Sequence, residues 1–218
     1  MKILCLHGNG TNGHIMRLQT AALRQELADD HEYEFVEAAV QAPMSEGVEG
    51  LTLPGSSFYA FYNPEDLSSS MRQSLNQLND FISAEGPFDA VLDFSGGAFL
   101  AAMYLIEQQS LRDSGESNDS LIKCGIFLAS ASCKAEMKVL GASTVPRVGK
   151  TSIQVPTAHI WGSNDTIAPT GGHDLSRVCN AAKRQILVHE GGHELPRGDS
   201  LTKAVHVIRR TIDLAEDF

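Results

Sequence analysis

Cationic side chains are scarce in this sequence: 17 Lys and Arg stand against 27 Asp and Glu in 218 residues, a net charge of −10. Nucleic acids and anionic membranes are held by clustered Lys and Arg. No basic cluster occurs, so neither is expected as a partner. Long hydrophobic runs are missing too. The opening Ile3-Leu4-Cys5-Leu6 stops at His7-Gly8, too short for the core of a secretory signal, and no apolar stretch is long enough to span a bilayer. A cytoplasmic location is expected. Cysteine is sparse as well. Cys5, Cys124, Cys133 and Cys179 are scattered, three of them in or beside apolar runs, which reads as structural filler rather than a disulfide framework or a metal site. Without a secretion signal, the glycosylation-like Asn118-Asp119-Ser120 reads as a polar loop. No internal repeat or linker divides the chain, and one domain over residues 1–218 is expected.

What the sequence does contain is an alternation of short apolar runs and amphipathic stretches. Strands are expected at 2–6, 33–37, 90–94, 124–129, 157–161 and 185–189. Helices are expected at 14–27, 67–84, 97–109, 174–182 and 201–214. Continuous apolar strands that alternate with helices predict a mainly parallel sheet covered on both faces. Three stretches break the pattern: a polar segment at 110–120, a long connection at 130–155, and a Gly/Pro-rich stretch at 38–63. The last holds Phe58, Tyr59, Phe61 and Tyr62. These aromatics either pack on the core or wall an apolar substrate pocket, since loops of this length in compact domains are often functional.

In open α/β sheets, ligands gather at the carboxyl ends of strands. The most informative such end is Val91-Leu92-Asp93-Phe94-Ser95-Gly96-Gly97-Ala98, which reads as strand, tight turn and helix. A serine at that apex is pushed into a sharp backbone bend with its hydroxyl exposed and a helix N-terminus behind it. Two later strand ends carry Gly162-Ser163-Asn164-Asp165 and Gly191-Gly192-His193. The chain order Ser95, Asp165, His193 is that of the α/β-hydrolases. In that scheme His193 takes the Ser95 proton and Asp165 orients the imidazole. The backbone N–H groups of Gly96 and of Asn9 or Gly10 face the developing oxyanion.

Two other motifs carry less. His189-Glu190-Gly191-Gly192-His193 matches the H-E-x-x-H zinc signature. That signature works on a helix face, whereas here it follows an apolar strand and carries adjacent glycines, each unfavourable by roughly 1 kcal/mol in a helix. Gly149-Lys150-Thr151 resembles the end of a phosphate loop, but position 144 is Thr144 rather than glycine. No metal and no cofactor is expected.

The opening Ile3-Leu4-Cys5-Leu6-His7-Gly8-Asn9-Gly10-Thr11-Asn12-Gly13, followed by Arg17-Leu18-Gln19-Thr20-Ala21-Ala22-Leu23-Arg24, resembles the start of the fungal serine hydrolase family, which includes LovG-type esterases and thioesterases. Its usual nucleophile motif, Gly-Phe-Ser-Gln-Gly, aligns with Asp93-Phe94-Ser95-Gly96-Gly97. Its acid and histidine motifs resemble Gly162-Ser163-Asn164-Asp165 and Gly192-His193. The resemblance spans essentially the whole chain. It implies an α/β-hydrolase fold without a large lid domain, with Ser95, Asp165 and His193 as the triad. It also implies a hydrophobic, polyketide-like acyl substrate in secondary metabolism, either a small molecule or bound to an acyl carrier protein.

Asp93 departs from the family pattern. Strand alternation places residues 93 and 95 on one side, so its carboxyl is expected near Ser95. Two roles are open for it: a spectator bonded to nearby backbone amides, or a desolvated carboxyl of raised pKa acting as acid or base. Two function classes follow. The first is an ester or thioester hydrolase working through an acyl-Ser95 intermediate. The second is a non-acyl enzyme, an epoxide hydrolase or cyclase built on Asp93, His193 and Asp165.

Overall fold

The computed structural model describes residues 1–27, 31–116, 122–131 and 153–216. Its centre is a six-stranded parallel sheet in the order β2-β1-β5-β6-β7-β8. The strands are β1 (Lys2–Leu6), β2 (Glu32–Val36), β5 (Ala90–Phe94), β6 (Cys124–Leu128), β7 (Thr157–Gly162) and β8 (Arg184–His189). A small antiparallel pair, β3 (Val40–Gln41) and β4 (Tyr59–Ala60), stands beside it. β5 and β6 are buried along their whole length, which explains their unbroken apolar sequence.

Side-chain alternation along the strands feeds two apolar layers. Leu4, Leu6, Val91 and Phe127 pack with α3 (Leu67–Glu85) and α4 (Gly96–Asp113). Ile3, Cys5, Leu92 and Ile126 pack on the opposite face with residues from α1 (Gly13–Gln19), α2 (Ala21–Leu27) and the last helix, α6 (Asp199–Glu216). In α6 the buried positions Ala204, Ile208, Thr211 and Ala215 recur every three to four residues, the stripe a helix lays against a sheet. The fold is therefore α/β with helices on both faces, as the alternation predicts. The three described cysteines, Cys5, Cys124 and Cys179, are free and buried. Burial pushes the thiols of Cys124 and Cys179 up to about 12 and that of Cys5 well above its ordinary value.

Several expected boundaries move. The helix read as 14–27 is two helices meeting at Thr20, whose Oγ1 donates to the Met16 carbonyl at 2.7 Å. A hydroxyl competing for an i−4 carbonyl bends a helix at that point. The helix read as 174–182 is α5 (Gly171–Arg177). Its opening glycines look like breakers in sequence, but a Cβ on Gly172 would stand 2.6 Å from the Trp161 ring, so glycine is what lets this helix seat on β7. The polar stretch at 110–120 begins as the last turn of α4, while its continuation at 117–120, sequon included, lies outside the described residues. So do Cys133, Gly149-Lys150-Thr151 and most of the 130–155 connection.

The sheet order decides where chemistry can occur. From β1 the chain first steps outward to β2, then returns to the other side of β1 and runs outward through β5, β6, β7 and β8. The connections leaving the carboxyl ends of β1 and β5 therefore diverge, and a crevice opens between them. His7-Gly8-Asn9 leaves β1 there and Ser95 leaves β5 there.

Candidate active site

Ser95 joins β5 to α4 with φ 52° and ψ −114°. That region is costly for any residue with a Cβ, so the surroundings must hold it. The Ser95 N–H donates to the Leu128 carbonyl at 3.0 Å, and its own carbonyl accepts from Ala131 at 3.1 Å and Phe99 at 3.3 Å. Close packing of α4 on β1 makes the bend possible. A Cβ at position 97 would lie 2.5 Å from the Leu6 carbonyl oxygen and 2.6 Å from that of His7, so only glycine fits.

The other two residues arrive from strands farther along the sheet. Asp165 sits in the turn after β7, and Oδ1 accepts from the N–H groups of Ile167 at 2.9 Å and Ala168 at 2.8 Å. Its Oδ2 lies 2.7 Å from Nδ1 of His193, and Nε2 of His193 lies 2.8 Å from Ser95 Oγ. The turn of Asp165 and the His193 loop are tied together: Ser163 N–H donates to the His189 carbonyl at 2.7 Å and Asn164 N–H to that of Gly191 at 3.0 Å. Asp165 is acceptor-only when ionised, so Nδ1 carries the proton and Nε2 is left to accept from the serine. Phe94 packs against the imidazole, ring centroids 5.3 Å apart. The three side chains named from sequence are brought into one hydrogen-bonded chain.

Ser95 and His193 lie at a cavity of about 640 Å³, within the usual range for a small-molecule site. Its walls correct the sequence expectation. None of Phe58, Tyr59, Phe61 or Tyr62 lines it. Phe61 and Tyr62 are buried in the α3–α4 layer and Tyr59 packs against that layer, while Phe58 borders a separate open groove. Phe61 and Tyr62 follow the antiparallel β3–β4 pair into the core. The apolar wall comes instead from Leu18, Ala22, Val48, Leu51, Leu195 and Leu201. Met16, Leu23 and Leu27 fill the core, while Leu18 is 43% exposed and faces the cavity.

Two further expectations are corrected. The Gly10 N–H donates to the Tyr59 carbonyl at 2.8 Å, because Thr11 forms an isolated antiparallel bridge with Tyr59 of β4, so it does not face the cavity. Asn9 lines the cavity, and its N–H makes no hydrogen bond among the described residues. Gly96 opens α4, where the first N–H groups have no partner within the helix. Asp93 is fully buried and does not line the cavity. Alternation stops at Phe94, because the Ser95 bend swings Oγ toward His193, while Asp93 Oδ1 accepts from the Leu6 N–H at 3.1 Å. Burial holds its carboxyl well above the usual carboxylate range.

Three other histidines are structural by position. His7 is buried, with Nδ1 2.8 Å from the Gly8 carbonyl and Nε2 3.1 Å from the Ala38 N–H. His159 lies within β7, where burial lowers it to about 3. His189 ends β8 and accepts from Gly191 N–H at 3.1 Å, while His193 Nδ1 is engaged by Asp165. The H-E-x-x-H stretch is thus a strand end and a turn, not a helix face.

Known proteins resemble this chain along most of its length. A family model described as serine hydrolase (FSH1) matches residues 1–205. Esterase FPY3 of Fusarium mangiferae is 36% identical over 201 residues, covering 90% of this chain and 89% of that protein. Esterase FUS5 of Gibberella moniliformis is 25% identical over 214 residues, covering 94% and 83%. Among solved structures, Zea mays acyl-protein thioesterase 2 superposes with a TM-score of 0.61 at 16% identity over 97% of this chain and 93% of that one, a likeness of fold. No helix among the described residues is long and apolar enough to cross a membrane.

Proposed function

This chain belongs to the serine hydrolase (FSH1) family, and from that premise we propose that Ser95, His193 and Asp165 cleave an ester or thioester through an acyl-serine intermediate. The observation that carries the reading is the continuous chain from Asp165 Oδ2 to His193 Nδ1 (2.7 Å) and from His193 Nε2 to Ser95 Oγ (2.8 Å) at a ligand-sized cavity. Ser95 Oγ attacks the acyl carbonyl as its proton passes to His193 Nε2. The imidazolium is stabilised by Asp165, whose carboxylate is held in place by two backbone amides. Negative charge grows on the carbonyl oxygen, opposite the N–H groups of Asn9 and Gly96. Collapse returns the proton to the departing alcohol or thiol. Water, activated by the same histidine, then releases the acid.

The apolar walls fit a hydrophobic acyl chain. With the family resemblance, they favour a polyketide-like substrate of secondary metabolism, free or delivered on a carrier. The epoxide-opening alternative needs Asp93 at the reacting atoms, and its burial outside the cavity gives that no support. A fluorophosphonate probe read by intact mass tests the proposal: one adduct on the wild-type protein, at Ser95, and none on Ser95→Ala. Labelling that survives Ser95→Ala overturns it.

A further inference from the structure

Of the two residues that sequence offered as second oxyanion donor, Gly10 has its N–H taken by the Tyr59 carbonyl, which leaves Asn9. The side chain of Asn9 carries an unused amide. The Asn9 carboxamide lies flat against Gly96: a Cβ at position 96 would be 2.2 Å from Asn9 Oδ1, 2.5 Å from Cγ and 2.8 Å from Nδ2. Oδ1 is enclosed and has no donor. Nδ2 is not enclosed, has no acceptor among the described residues, and belongs to a residue that lines the cavity with Ser95 and His193. The half-buried carboxamide packs on Gly96, the residue after the nucleophile, and its unbonded NH2 end is positioned for a group that arrives with the substrate.

The orientation has a physical reason. Oδ1 sits over the first residue of α4, where the helix presents partial positive charge, and this leaves the two Nδ2 hydrogens as the open end. The same contact accounts for the glycine at 96, where the family motif usually carries glutamine. Any side chain there would occupy the volume that the Asn9 carboxamide fills.

We propose that Asn9 is a catalytic residue whose side-chain Nδ2 donates a hydrogen bond to the acyl carbonyl oxygen, and that Gly96 is the space this donor requires. The inference rests on the acyl-serine reading and deepens it. Asn9 Nδ2 joins the N–H groups of Asn9 and Gly96, giving the hole a third donor. The bond strengthens as the carbonyl oxygen becomes an oxyanion, so it acts on turnover more than on binding.

The test is steady-state hydrolysis of p-nitrophenyl butyrate, with thermal unfolding of each variant recorded in parallel. Asn9→Ala lowers kcat by about 10²–10³-fold, the usual effect of removing one oxyanion donor, and leaves KM within about twofold. Asn9→Asp keeps the shape, offers no donor, and loses at least as much. The pair is then tested as a cycle. Gly96→Gln displaces the Asn9 side chain and lowers kcat, and the Asn9→Ala/Gly96→Gln double variant loses no more than the worse single. An Asn9→Ala protein with kcat within threefold of wild type overturns the proposal. So does an Asn9→Asp protein that keeps its rate, or a double variant whose losses multiply. If Ser95→Ala retained activity, the acyl-serine reading itself would fall. If Ser95→Ala is dead and Asn9→Ala is not, only the role of Asn9 falls.

Discussion

Replacing Asp93 with asparagine changes stability in a pH-dependent way and leaves catalysis alone. Asp93 lies in the middle of the sheet, in register with Leu6 on β1 and Phe127 on β6, with no exposed surface. One backbone N–H reaches Oδ1 at 3.1 Å, and Oδ2 has no partner. A single hydrogen bond does not offset the desolvation of a carboxylate, so the folded protein holds the proton to higher pH than the unfolded chain does. The sign follows from linkage. Below the ordinary aspartate range both states are protonated and Asp93 adds no slope. Above it the unfolded chain releases a proton that the folded protein keeps, and stability falls by about 1.4 kcal/mol per pH unit until the folded carboxyl also ionises. Asp93→Asn removes the ionisation, so its advantage over wild type widens from pH 4 upward at that slope and then levels off. Urea unfolding of both proteins at pH 4, 5, 6 and 7 measures it. Stability curves that stay parallel across that range refute the reasoning. Because the carboxyl lies outside the cavity, kcat/KM of the variant stays within about twofold at every pH, and a collapse of activity in a folded variant would return Asp93 to the chemistry.

Ser95→Gly abolishes hydrolysis yet raises stability by up to about 1 kcal/mol, because glycine adopts φ 52° without strain; chemical denaturation beside an esterase assay checks both halves. Gly97→Ala forces a methyl against the Leu6 and His7 carbonyls and destabilises by about 1–3 kcal/mol, seen as a lowered unfolding midpoint with matching loss of activity. Along a series of p-nitrophenyl esters of increasing chain length, kcat/KM rises by up to about fourfold per methylene, the equivalent of ~0.8 kcal/mol each. Val48→Asp and Leu201→Asp flatten that rise by charging the cavity wall, whereas Phe58→Ala does not.

The sheet and the triad were legible for one reason: both are written in local patterns. Buried parallel strands read as unbroken apolar runs, and strand-end Ser95, Asp165 and His193 each followed such a run or the turn after it. The cavity wall was not legible, because it is made where distant segments meet. Leu18 and Val48 look no different in sequence from core residues, and only the topology separates Leu18 at 43% exposed from Met16 at 0%. The aromatics at 58–62 misled in the opposite direction, since nothing local announces that β3 and β4 pair and carry Phe61 inward. Asp93 failed for a sharper reason. The alternation rule holds within a strand, and the backbone bend at Ser95 ends the strand one residue too early for the rule to apply.

On the acyl-serine reading, the separation of Ser95 and His193 along the chain also sets when the protein becomes active during its own synthesis. Ser95 and its partner imidazole stand 98 residues apart. At 5–20 residues per second, roughly 5–20 s pass between the emergence of one and of the other. Through that interval the nucleophile has no base. His193 reaches it only when β8 has paired with β7 and the His189–Gly191 carbonyls have locked onto Ser163 and Asn164. On that reading a nascent chain lacks its base until the last strand of the sheet is added.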